Sequence, residues 1–182
     1  MVYRRFQFYA ALWLMAYAAV SHAQIFYGQQ EAMELAFGAG AEVQSEPLYL
    51  TPEQVAEVEK LSHSKLDSEL FTFYSAERQG RVYAYAAIDS HTVRSQSESI
   101  MVVFNPAGAV TQVVLLAFNE PPEYRMPDRW MDLLPGKSMQ QLALGQGVDA
   151  ITGATLTSRA VVASVRRVKA LFRLAHPELG EG

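Results

Sequence analysis

The chain has 182 residues and no cysteine. That absence excludes disulfides, cysteine-ligated zinc, iron–sulfur clusters, thiol redox chemistry and thioether-attached haem. Stability must then come from a packed core, and any redox role needs another kind of cofactor. A basic excess is also missing. Fifteen Lys and Arg stand against nineteen Asp and Glu, for a net charge of −4. With no surplus to neutralise phosphates, a nucleic-acid partner is not expected. His22, His63, His91 and His176 show no metal-ligand spacing, so no metal site is expected. No G-x-G-x-x-G fingerprint marks an NAD(P)H site, and no Gly-x-Ser-x-Gly turn marks a hydrolase.

Long apolar runs are scarce as well. Phe8–Val20 carries no charge but falls short of the roughly 20 residues that span a bilayer comfortably. Arg4 and Arg5 precede this run, and Ser21-His22-Ala23 follows it with small residues at the two positions that signal peptidase reads. Residues 1–23 therefore read as an export signal cleaved before Gln24, with a retained anchor as the alternative. The expected location is periplasmic or otherwise extracytoplasmic, with membrane association open.

What is present is a foldable chain. Half the residues are apolar and 19% are charged, enough to bury a core. Residues 29–37 read as a short helix ending near Gly38. Thr51-Pro52-Glu53-Gln54 combines an N-cap threonine, a proline at N1 and a glutamine at N3, predicting a helix to about Ser64. Glu69–Ala76 and Arg81–Ile88 are rich in aromatic and β-branched residues and flank Arg78-Gln79-Gly80. Ser99–Phe104 and Ala109–Phe118 flank Asn105-Pro106-Ala107-Gly108 in the same way. Two hairpins follow. A proline-rich surface loop around residues 119–130 and a short helix near Met139–Leu144 come next. The last helix is expected from Ser158 to Leu174. Val161, Val165, Val168 and Phe172 should face the sheet, with Arg159, Arg166, Arg167 and Lys169 on the solvated side. The class is α+β: a twisted antiparallel sheet with flanking helices.

One stretch fits neither core nor ordinary loop. "DAITGATLTSR", residues 149–159, places four hydroxyls directly before the last helix, where one would suffice as a cap. Asp149, Thr152, Gly153, Ala154 and Thr155 occupy every defined position of the motif D-x-x-[ST]-G-A-T. The segment resembles the flavinylation motif of the FMN-binding domain family, which includes the FMN-carrying subunits of Rnf complexes and of the sodium-translocating NADH:quinone oxidoreductase. The resemblance implies FMN attached through a phosphoester to Thr155. Asp149, Thr152, Gly153 and Ala154 would be the context recognised by an FAD:protein FMN transferase. Thr157 is a further cofactor-binding candidate. The resemblance covers roughly residues 80–174, preceded by a helical and first-strand region at 24–79 and followed by a tail at 175–182. Asn119–Tyr124 departs from the Thr-Pro-Gly-type loop that borders the flavin in many relatives. Glu120 and Tyr124 are the cofactor-binding candidates there. Tyr124 and Trp130 are also candidates to stack on the ring or to pack beneath the loop.

The resemblance implies an exported electron-transfer flavoprotein with no catalytic residues of its own and a membrane or periplasmic redox protein as partner. The alternatives are an extracytoplasmic flavin-dependent reductase of a small acceptor and an unflavinylated binding module.

Overall fold

A computed structural model describes residues 24–179; the expected export signal lies outside them. Six strands form one antiparallel sheet: β1 (Gln24–Ile25), β2 (Val43–Tyr49), β3 (Leu70–Arg78), β4 (Arg81–Thr92), β5 (Ser97–Phe104) and β6 (Val110–Phe118). Their order is β1-β6-β5-β4-β3-β2, so β2 to β6 form a meander and β1 closes its far edge. The helices are α1 (Gln29–Phe37), α2 (Pro52–Ser62), the four-residue α3 (Asp128–Met131) and α4 (Thr155–Ala175). The α+β class is as expected from sequence. The 79/80 division falls within the β3–β4 hairpin, so both of its sides share this sheet.

Alternation along the central strands sends side chains to two cores. Ile100, Val102 and Phe104 of β5 join Tyr85 and Ala87 of β4 beneath α2 and α4. Met101 and Val103 join Ala84 and Ala86 on the opposite face, beneath Ala32 and Phe37 of α1. Successive strand residues point to opposite faces, so a strand covered on both sides reads as a near-continuous apolar run. Small alanines on the α1 side let that short helix approach closely, and the Tyr83 hydroxyl donates to the Phe37 carbonyl at 2.6 Å.

The hairpin chemistry holds. Gln79 and Gly80 both adopt positive φ, 54° and 72°, as a two-residue turn matched to strand twist requires. Asn105 Oδ1 accepts from the Ala107 and Ala109 amides at 2.9 and 3.0 Å. At the start of α2, the Gln54 amide donates to Thr51 Oγ1 and the Thr51 amide donates to Gln54 Oε1, the reciprocal cap read from sequence. The helix ends at Ser62, with His63 left-handed at φ 57°.

Several elements differ from expectation. The sheet gains β1 and β2. The short helix at 139–144 is instead one turn held by Ser138 and Gln141, which bond reciprocally before Gly145 ends it. The loop after β6 is more than surface: it buries Met126, Trp130, Met131 and Leu134 against the main core. Helix α4 begins at Thr155, three residues early.

The inward face of α4 is as read. Val161, Val165 and Val168 are fully buried, and Phe172 stacks on Phe104 with centroids 4.2 Å apart. Its cations are not all solvated, however. Lys169 is buried and its Nζ donates to the Lys137 carbonyl at 2.8 Å. Arg167 is buried and donates from Nε and Nη2 to both oxygens of Asp89, at 3.2 and 2.5 Å. Asp89 also accepts from Ser164 Oγ at 2.5 Å and meets His91 Nδ1 at 3.3 Å. The second His91 nitrogen lies 3.0 Å from fully buried Glu98. A buried arginine needs such a partner, because an uncompensated charge in low dielectric costs several kcal/mol. Burial raises the Asp89 pKa, but His91, Arg167 and Ser164 outweigh it and the net direction is down. Burial lowers that of His91, but its two carboxylates outweigh it and the net is up. For Glu98 burial dominates over His91 and the net is up.

Candidate flavin site

The motif is held as a turn leaning on the core. Buried Trp130 donates its indole N–H to the Asp149 carbonyl at 2.7 Å. The Ala154 amide then donates to the Ile151 carbonyl at 3.0 Å, and Gly153 sits at φ +88° between them. A Cβ at Gly153 would meet nothing within 4 Å. The glycine is therefore required by the backbone angle and not by crowding. Ala154 is buried at the N-cap, where it offers no oxygen.

The four hydroxyls divide into two classes. Thr157 and Ser158 are almost wholly buried and committed. Thr157 Oγ1 donates to the Tyr124 carbonyl at 2.7 Å, and Ser158 Oγ donates to the Ala154 carbonyl at 3.0 Å. Neither caps α4. Thr152 and Thr155 are exposed. Thr155 occupies the first position of α4, and its hydroxyl makes one long hydrogen bond, 3.3 Å to the Ile151 carbonyl. Donating that proton leaves the oxygen lone pairs available.

No side chain caps the start of this 21-residue helix. The Ser158 amide makes the first intrahelical bond, to the Ala154 carbonyl. The amides of Thr155, Leu156 and Thr157 thus have no intrahelical acceptor. They carry the positive end of the helix dipole, a favourable place for one phosphate charge.

Thr155, Gly153, Ala154 and Thr157 line a small pocket of about 140 Å³, together with Leu156, Tyr124 and Arg94. That is below the roughly 300 Å³ at which small-molecule pockets begin, so it suits a phosphate head and not a whole nucleotide. The Arg94 guanidinium covers the Tyr124 ring, 4.3 Å from its centroid. One aromatic face is therefore taken by a cation within the same site. Asp149 is exposed, ahead of the pocket lining.

Glu120 is not in the pocket lining. It is buried, and its Oε1 accepts from the amides of Arg94, Ser95 and Gln96 at 2.9, 2.6 and 2.9 Å. Burial raises its pKa, but these three donors and the Arg94 charge outweigh it and hold it below the ordinary carboxylate range. Its carboxylate fixes the β4–β5 turn and so positions Arg94. Arg94 was not singled out from sequence. A lone cation in a polar turn carries no periodic or motif signal, and only the tertiary fold brings it to Thr155. Trp130 serves the site by packing, as an anchor for the motif backbone.

Among the described residues, no group of three or more His, Asp or Glu is arranged to hold a metal ion. No described helix is long and apolar enough to cross a membrane. A search of curated proteins finds no match. The profile of the FMN-binding domain family matches residues 95–169. The match runs from the turn that supplies Arg94, through β5, β6 and the motif, to Lys169 in α4.

Proposed function

We propose that this flavoprotein, which carries an FMN-binding domain at residues 95–169, holds its FMN covalently through a phosphoester to Thr155 and works as an extracytoplasmic electron carrier. The observation that carries the reading is the exposed Thr155 hydroxyl at the first position of a long helix with no side-chain cap. The remaining residues fit the group. Three helix-start amides and Arg94 would receive the phosphodiester charge, and the Tyr124 ring with its covering guanidinium borders the same pocket.

Among the described residues, nothing in the pocket activates Thr155 as a nucleophile: the lining holds no His, Asp or Glu. An unassisted threonine hydroxyl is a weak nucleophile. The base must come from an FAD:protein FMN transferase, which would join Thr155 Oγ1 to the FMN phosphorus and release AMP. The exposed motif turn, with Asp149, Thr152 and Gly153 all at the surface, suits recognition by such an enzyme.

Bound FMN supplies chemistry that accepts two electrons and passes them singly. The chain's own residues bind and orient it. A tether also suits an exported carrier, because a dissociated flavin outside the cytoplasm is lost. The test is intact mass and peptide mapping after coexpression with the transferase, with stopped-flow mixing of reduced protein and a membrane or haem-protein acceptor. Flavin mapped to Thr155 and fast exchange are the expected results. Steady NADH oxidation by the protein alone, at about 1–1,000 per second, would instead identify a reductase.

A further inference from the structure

A groove of about 820 Å³ lies beyond the motif pocket, between the end of α2, the 139–146 loop and one face of α4. Arg159, Val162, Ala163 and Arg166 form the α4 wall, at the spacing of a single helix face. Thr155 heads the same face one turn earlier but lines the other pocket. Leu61, Leu142 and Leu144 extend the aliphatic floor. Among the described residues, the charged and titratable lining is Lys60, His63, Arg159 and Arg166, with no Asp or Glu.

The groove is a built feature. Arg166 donates to the Leu61 carbonyl at 3.1 and 2.5 Å, to Met139 at 2.6 Å and to Leu142 at 3.2 Å. One guanidinium thus ties all three walls together, and every acceptor is a neutral carbonyl. The loop is fixed at Gly147, where a Cβ would lie 2.3 Å from the Gln141 carbonyl oxygen. Lys60 and Arg159 are exposed and have no hydrogen-bond or ion-pair partner among the described residues.

A cationic rim above an aliphatic floor selects for charge and for apolar length together. The volume falls in the roughly 300–1,000 Å³ range of small-molecule sites. We infer that this groove binds a small free amphipathic anion, its carboxylate or sulfonate head on Lys60 and Arg159 and its apolar body on the leucine floor. The inference stands apart from the flavin assignment, since none of these residues lines the Thr155 pocket.

Calorimetric titration of the purified full chain with decanoate, and separately with decanol, tests it. Decanoate should give a saturable 1:1 isotherm, with decanol at least tenfold weaker. Lys60→Gln with Arg159→Gln should weaken decanoate at least tenfold and leave decanol unchanged. Both side chains are exposed and unpartnered, so an unaltered urea midpoint verifies the fold. Thr155→Val, which lacks the proposed tether, should bind decanoate as wild type does. Absence of saturation, or equal binding of acid and alcohol, overturns the proposal. So does loss of decanoate binding on flavin loading, which would make the groove the ring's resting place. Sedimentation with vesicles of phosphatidylcholine and phosphatidylserine should leave the protein in solution. Pelleting that depends on Lys60 and Arg159 would make this a membrane contact and refute a free ligand.

Discussion

Two hydroxyls two residues apart should separate flavin attachment from stability. Thr155 is exposed and makes one 3.3 Å hydrogen bond, to the Ile151 carbonyl. Valine keeps its shape and removes the hydroxyl. Losing so weak a bond at the surface should cost at most about 0.5 kcal/mol, the low end of net hydrogen-bond contributions. For a domain of this size that is a shift of about 1–2 °C in Tm. Thr157 is 1% exposed and donates to the Tyr124 carbonyl at 2.7 Å. Valine there strands a carbonyl where water has little access, at a cost of about 1–3 kcal/mol, or roughly 2–12 °C. After coexpression with the transferase, Thr155→Val should lack denaturation-resistant flavin fluorescence and melt almost as wild type does. Thr157→Val should be flavinylated and melt lower. Flavin retained in Thr155→Val, or lost only in Thr157→Val, would falsify the assignment and move the attachment to Thr157.

Further perturbations follow from the buried polar residues. Arg167→Met leaves Asp89 buried without its guanidinium, so urea unfolding at neutral pH should show a loss of about 3–5 kcal/mol. Without Arg167, Asp89 titrates higher, and the deficit should shrink as pH falls; a deficit under about 1 kcal/mol would mean that the pair behaves as a surface ion pair. The folded-state pKa of His91 lies above its ordinary 6.5, so its stabilising contribution is present below that pH and lost as pH rises through the folded value. Side-chain NMR should show His91 titrating above 6.5, and Glu98→Gln should bring that titration down. Glu120→Gln should loosen the 93–96 turn, at about 1.5–3 kcal/mol for charge-assisted bonds, and speed amide exchange of Arg94, Ser95 and Gln96. Because the Glu120 pKa is lowered, its contribution is present above the ordinary carboxylate pKa and lost as pH falls through the folded value. Unchanged exchange at those amides would remove Glu120 from the positioning of Arg94.

What was legible in the sequence is what repeats or pairs locally. Strands β3 to β6 are rich in apolar, aromatic and β-branched residues around short turns, and the α2 cap lies within four consecutive residues. β2 was not legible because it is an edge strand, mostly exposed, with Pro47 inside it. Proline is tolerated there because an edge leaves some amides unpaired in any case. β1 has only two residues, too few for any period. The helix at 139–144 failed because Ser138 and Gln141 supply a start signal that the glycines at 145 and 147 cancel within a turn. The α4 sequence places Arg167 on the solvated side because its partner Asp89 is 78 residues away, and helix periodicity carries no information about a charge on a distant strand.

The candidate site divides along the same line. Under the proposed attachment, a transferase would recognise the segment through its surface, which would compress the chemistry of attachment into contiguous residues. That is why Asp149, Thr152, Gly153, Ala154 and Thr155 could be read in order. Holding a charge after attachment is a tertiary task. Under the proposed function it would fall to Arg94 on the β4–β5 turn, to Glu120, which clamps that turn through three amides, and to Trp130, which pins the Asp149 carbonyl. None of these has a fixed spacing from Thr155 that chemistry would demand. Glu120 illustrates the consequence. Its position in the loop after β6 suggested contact with the cofactor, whereas its carboxylate is spent on backbone amides and reaches the site only through Arg94. A substitution at Glu120 should accordingly alter how firmly the phosphate charge is held while leaving the Thr155 hydroxyl open to modification. A substitution that removes the Thr155 hydroxyl should instead abolish attachment, and with it the tethered phosphate charge.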